Sequence, residues 1–189
     1  MTVKFGRFAP ILFLVILSLW SLWPVVTGIK STLPIGHEDI LLTWIVNDNI
    51  GKVPDNLSEL FNGNIFYPYK NTKAYSDLFL PSSLLSYLPA KITGSYFAGF
   101  NFSLILGQML TVLVVYCWFL EITKNKYSAL LGSTTFGLSQ IRMHYFVHIH
   151  TFILQWFILA TYFIWKFRKT AKVRYLYFAG TLVVVQFWE

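Results

Sequence analysis

Across Phe8–Ile29 the chain runs for 22 residues without a charged side chain. At about 1.5 Å of rise per helical residue, such a run crosses a hydrocarbon layer about 30 Å thick. The rest of the sequence repeats the pattern. Only 12% of its 189 residues are charged, while 56% are apolar and 19% aromatic; a soluble domain has about a quarter charged. The same figures exclude intrinsic disorder. The lone cysteine, Cys117, excludes a disulfide framework and a thiolate metal cluster. The net charge of +7 does not collect on one water-exposed face, as nucleic-acid binding requires, but brackets the apolar runs.

The pattern predicts an all-α membrane protein with about five transmembrane helices. The first is 8–29. Lys4 and Arg7 precede it as they would a signal peptide, but the run outlasts a signal core and no small-x-small site follows Trp23-Pro24-Val25-Val26, so it reads as retained. The second, 95–120, lies in the uncharged stretch Ile92–Leu120 behind Gly94 and Ser95. A short third, 127–141, and a fourth, 146–166, follow; within Met143–Trp165 His144, His148 and His150 are the only groups that can take a charge. A fifth, 174–189, holds 14 uncharged residues before Glu189, short of the about 20 that a crossing needs. The expectation is one transmembrane domain, 1–189, belonging to the N-terminal part of a longer bundle.

Lysines and arginines set the orientation. With the N-terminus cytoplasmic, the inner segments hold Lys4, Arg7, Lys124, Lys126, Lys166, Arg168, Lys169, Lys172 and Arg174, with Glu121 the one acid beside them. That asymmetry is the positive-inside pattern of a cell-membrane protein, and it places residues 30–91 outside.

This outer loop carries six of the eight acids: Glu38, Asp39, Asp48, Asp55, Glu59 and Asp77. A helix is predicted near 38–49, ended by Gly51 and Pro54. Asp39, Thr43 and Asn47 share one of its faces and Leu41, Trp44 and Ile45 the other, with Asp48 breaking the apolar side. A second helix, near 78–90, is too short to span. Both are expected to lie along the membrane surface. Asn56-Leu57-Ser58 matches a glycosylation acceptor, and Gly94, Gly99 and Gly107 suit close helix packing.

Two clusters can carry chemistry. A carboxylate just beyond the first span can serve as a general base toward a hydroxyl; Asp39 leads and Glu38 rivals it. The opposing reading makes either acid a helix cap. The second cluster is Arg142-Met-His144-Tyr-Phe-Val-His148-Ile-His150. On a continuous helix His144, His148, Thr151 and Gln155 fall in one sector with His150 opposite, a polar stripe that faces protein or water. Arg142 has the fork geometry for a phosphate. His144 and His148 have ligand spacing but no defined third metal ligand. The opposing reading is a set of polar groups at headgroup level.

Three stretches in order, Glu38–Trp44, Asn64–Asp77 and His148–Trp156, resemble the GT-C class of integral membrane glycosyltransferases, in particular a prokaryotic subgroup of multi-span proteins. The resemblance implies transfer of a sugar from a polyprenyl-phosphate donor to a glycan, lipid or protein acceptor at the outer face. Asp39 would be the catalytic carboxylate, Arg142 and His148 would balance charge on the departing phosphate, and Asp77, His150 and Gln155 would shape the cavity. A divalent ion is a possible cofactor, and no nucleic acid is expected. Relatives carry glycine before the key aspartate where this chain has Glu38, which leaves Glu38 and Asp39 both open as the acting acid. The alternative function is a non-catalytic membrane protein, a transporter or an assembly scaffold, for which discontinuous helices would be the signature.

Overall fold

The computed structural model describes residues 8–33, 40–52, 56–63, 66, 68–75, 77–145 and 148–189, and of residues 40–44 and 57 the backbone alone. Glu38 and Asp39 lie outside the described residues. The protein is all-helical, with no strand among the described residues.

The organising element is α5, Tyr96–Thr123, a helix of 28 residues and about 42 Å. Its boundaries are local chemistry. Gly94 adopts a φ of +67°, which ends the preceding helix, and the Ser95 hydroxyl accepts from the amide of Ala98. At the far end Lys124 turns left-handed and the Asn125 side chain caps α6, Lys126–Gly137, by accepting from Tyr127 and Ser128. Packed on α5 are α1 (Ala9–Ser21), α4 (Leu80–Thr93), α6 and α9 (Gln155–Thr170). A left-handed Ala171 turns the chain from α9 into α10, Arg174–Phe187.

Among the described residues α5 is the one helix long and apolar enough to cross a membrane, so five spans exceed what length and composition support. The expected first span breaks at Leu22: α1 has 13 residues, and a short α2, Trp23–Thr27, follows with Pro24 in its first turn, a residue with no amide to extend the earlier helix. The expected third span falls on α6, only 12 residues long. The expected fourth is interrupted, as described below.

The loop helices differ from a pair lying on a lipid surface. α3, Ile40–Lys52, buries Ile45, Val46, Asn49 and Ile50 against α4 and α5. α4 turns Ser82, Ser83, Ser86 and Ala90 inward and Leu84, Leu88 and Ile92 outward. Its small residues meet Gly99 of α5, where a Cβ would stand 2.6 Å from the Ser86 carbonyl oxygen. Gly107 likewise leaves room for Ile153. Gly94 packs on nothing; its role is the turn.

Candidate functional site

α3 ends in Asp48, Asn49 and Lys52, and these three organise the loop beneath them. Lys52 reaches back one turn to Asp48 at 2.9 Å. The chain then makes two 3₁₀ turns, Leu57–Glu59 and Thr72–Tyr75, and the second delivers Lys73 into the interior. The Lys73 ammonium is wholly buried, and it donates to Asp48 Oδ2 at 2.6 Å and Asn49 Oδ1 at 2.7 Å. Burial pushes Lys73 below its ordinary pKa, while Asp48 pulls it back up. Asn49 completes the joint by donating to the Leu78 carbonyl and the Ser83 hydroxyl. A buried ammonium is stable only when its donors are taken up, so one network fixes α3, the loop and the start of α4 together.

Beside Lys73 opens a cavity of about 520 Å³, lined by Phe61, Lys73, Asp77, His150, Gln186, Trp188 and Glu189 among others. Asp77 stands exposed at its edge. His150 is half-buried, and its Nδ1 has no partner among the described residues. Glu189 is buried; its carboxylate accepts from the Ser82 amide and hydroxyl at the first turn of α4, and the Trp188 carbonyl accepts from Leu80. The end of α10 is therefore docked on the start of α4.

The histidine segment is not one helix. α7, Gln140–His144, and α8, Ile149–Phe152, are separate turns ahead of α9. The expected single sector of His144, His148, Thr151 and Gln155 therefore does not form. Neither proline nor glycine makes these breaks; side chains take up the freed backbone groups instead. Arg142 is buried and donates through its two terminal nitrogens to the carbonyls of Gly137 and Phe152, each at 2.8 Å, with its guanidinium 4.9 Å from the Phe152 ring centroid. Gln186 of α10 accepts from the Phe157 amide in the first turn of α9 and donates to the Ile153 carbonyl.

Of the expected site residues, Asp77 and His150 share the cavity. His148 lies 6.1 Å from the His150 ring, and Tyr145 lies 5.6 Å from His148, so the rings step along the segment. His144 is exposed and stacks edge-on against Tyr145. Arg142 turns its fork inward to the backbone rather than into the cavity. Gln155 sits in the α5–α9 contact, accepting from Thr111 at 3.4 Å. Among the described residues no group of three His, Cys, Asp or Glu side chains converges where a divalent ion would need it. Lys73, Asn49, Gln186 and Glu189 were not expected. Asp48, the misfit on an apolar face, was the one visible sign of a buried counter-ion.

Neither the protein-family models, nor the curated proteins, nor the solved structures contain a match to this chain.

Proposed function

We propose that the chain forms part of a membrane glycosyltransferase, one that moves a sugar from a polyprenyl-phosphate donor to an acceptor hydroxyl at the outer face of the cell membrane. The observation that supports this reading is the packing of α3 against the segment around the histidines, two regions far apart in sequence. Ile45, Val46 and Ile50 of α3, the helix that follows Glu38 and Asp39, share one core cluster with Ile149, Phe152 and Ile153 beside the histidines. A transferase of this kind needs its carboxylate and its phosphate-facing groups around one sugar, and that packing draws the two segments into one neighbourhood.

Two features favour a membrane setting. Large apolar side chains stand outward on α1 (Leu12, Ile16, Trp20) and on α10 (Val184, Phe187), a surface that water does not suit. The ends of the bundle also differ in charge. The α5–α6 and α9–α10 turns, rich in lysine and arginine, are joined by the Glu121–Lys166 pair, while the acidic loop, the histidines and Glu189 gather at the other end. This separation supports a cytoplasmic N-terminus, with the shorter helices crossing beside α5.

In this reading Asp39 takes the acceptor's proton as the acceptor oxygen bonds to sugar C1. The bond from C1 to the lipid phosphate breaks, and its electron pair leaves with the phosphate. His148 and His150 balance that charge, Asp77 holds acceptor hydroxyls at the cavity edge, and Arg142 keeps the histidine segment in place. The test is transfer from a fluorescent polyprenyl-phosphate sugar in proteoliposomes. Asp39→Asn lowers the rate about 10²- to 10⁴-fold, the usual worth of a positioned general base. Undiminished transfer by a well-expressed variant removes the assignment.

A second reading has its own support. The interrupted segment α7–α8–α9 is the kind of discontinuous helix that lines solute paths in transporters. It predicts solute flux into sealed vesicles without sugar transfer, and flux that Asp39→Asn leaves unchanged.

A further inference from the structure

We propose that the α5–α6 and α9–α10 turns together form a binding surface for anionic phospholipid headgroups, centred on Trp165, Arg168 and Lys169. The inference rests on the membrane setting proposed above and is independent of the glycosyltransferase chemistry. Glu121, the acid at this end, is already engaged: it accepts from Lys166 at 2.5 Å and from the Tyr162 hydroxyl at 2.7 Å. That pair bridges the end of α5 and the end of α9, beside the two basic turns. Lys124, Lys126, Arg168, Lys169, Lys172 and Arg174 are all exposed, and none forms an ion pair among the described residues.

The centre of the patch has a shape as well as a charge. Trp165, Arg168 and Lys169 stand three and four positions apart on α9, hence on one face, and they line a concavity of about 360 Å³. The Lys169 ammonium lies 5.9 Å from the Trp165 ring centroid, so the indole forms one wall. The size and the paired cations suit a phosphodiester oxygen pair, with Arg168 offering the fork.

The surroundings select a lipid over other polyanions. Directly toward the middle of the bundle the surface turns apolar, with Leu131, Ile164, Leu176 and Tyr177 exposed on three helices. A nucleic acid or an acidic protein would leave that band in water. A bilayer covers it with acyl chains while its headgroups meet the cations, and aromatic rings beside the cations, as at Tyr127 and Tyr175, belong at that depth.

The experiment uses the full chain in neutral detergent, titrated with short-chain phosphatidylglycerol and, separately, phosphatidylcholine, with the thermal midpoint as readout. Phosphatidylglycerol raises the midpoint and phosphatidylcholine does not. Each cation near a charged lipid surface is worth about a fivefold change in affinity, so Arg168→Gln with Lys169→Gln weakens the phosphatidylglycerol response about 25-fold, and Lys124→Gln about fivefold. The response fades as salt rises. Equal shifts with both lipids, an unaltered double variant, or an equal response to inorganic phosphate would each overturn the proposal, as would tighter binding of a short RNA at the same charge concentration. A chain that stays in the aqueous phase of a detergent phase separation defeats the membrane setting itself; a chain that enters the detergent phase yet ignores phosphatidylglycerol defeats only this inference.

Discussion

Asp48 and Glu121 are the same motif in two settings. Each is a carboxylate held by two donors: Asp48 by Lys52 of its own helix and Lys73 of the loop, Glu121 by Tyr162 and Lys166, one turn apart on α9. The difference is water. Lys73 is wholly buried, whereas Lys166 and Glu121 both keep about a quarter of their side-chain surface exposed. A buried ion cannot lose its partner without being stranded, so the Asp48 network dictates how α3, the loop and α4 fit together. The Glu121 pair has solvent as a competitor and does no more than choose between neighbouring arrangements. The cavity accordingly grows next to the rigid network, and the open basic surface next to the loose pair.

The sharpest way to break this contrast is at Lys73. Lys73→Met takes one donor from Asp48, which keeps Lys52, and leaves the buried Asn49 Oδ1 without its ammonium, at a cost of about 3 kcal/mol. Chemical unfolding followed by tryptophan fluorescence in detergent reads it. If Lys73→Met unfolds like the parent, the network is not what holds the loop.

Arg142 comes next. Arg142→Gln keeps a donor but cannot reach both Gly137 and Phe152, so at least one charge-assisted bond to the backbone is lost, at about 1–3 kcal/mol, while Gln108 still donates to Gly137 and the Leu154 amide to Phe152. Because those carbonyls flank the histidine segment, amide exchange between Gly137 and Phe152 speeds up while that of α5 does not. Uniform acceleration along the chain would make Arg142 an ordinary core residue.

The sequence shows these features unequally, and for physical reasons. α5 was legible because a charge-free stretch bounded by Gly94-Ser95 and Glu121 has few ways to fold. The start of α10 at Arg174 was nearly as plain. The break at Leu22 was visible in principle, since Pro24 follows it. The breaks between α7, α8 and α9 were not, because they have no Gly or Pro and depend on Arg142 and on Gln186, the latter 33 positions beyond the carbonyl it serves. Lys73 was invisible for a related reason. A lysine in a polar loop reads as solvated, and only the pairing of a misfit Asp48 with a distant cation betrays it. What was hidden in each case is a side chain satisfying a group remote in sequence, which periodicity does not record. The two expected acids, Glu38 and Asp39, lie outside the described residues, so α3 bears on them only through where it begins.

Gly99 lies between the two extremes. Gly99→Ala pushes a methyl against the Ser86 carbonyl and the Ala90 side chain, so α4 must shift from α5 at a cost of about 1–3 kcal/mol. Since α4 carries Ser82 and Ser83, which contact Glu189 and Asn49, the shift loosens the cavity wall as well. Gly94→Ala is disfavoured for a different reason, its positive φ, and leaves the α4–α5 contact intact. Cysteine cross-linking across the α4–α5 interface separates the two effects.

The smallest effect belongs to Glu121. Glu121→Gln removes an ion pair that water already screens, and stability changes by about 1 kcal/mol or less. A double-mutant cycle with Lys166→Gln returns a coupling of the same small size. The consequence lies instead in lipid binding. Without Glu121 the basic end gains one net positive charge and frees Lys166, so its response to phosphatidylglycerol strengthens, by about fivefold on the scale of one surface cation. The half-exposed Glu121 carboxylate is thus expected to matter more to what the surface attracts than to whether the protein stays folded, the reverse of Asp48, whose partner Lys73 is buried. A Glu121→Gln variant that loses several kcal/mol of stability and gains nothing toward anionic lipid would erase the distinction between the two ends.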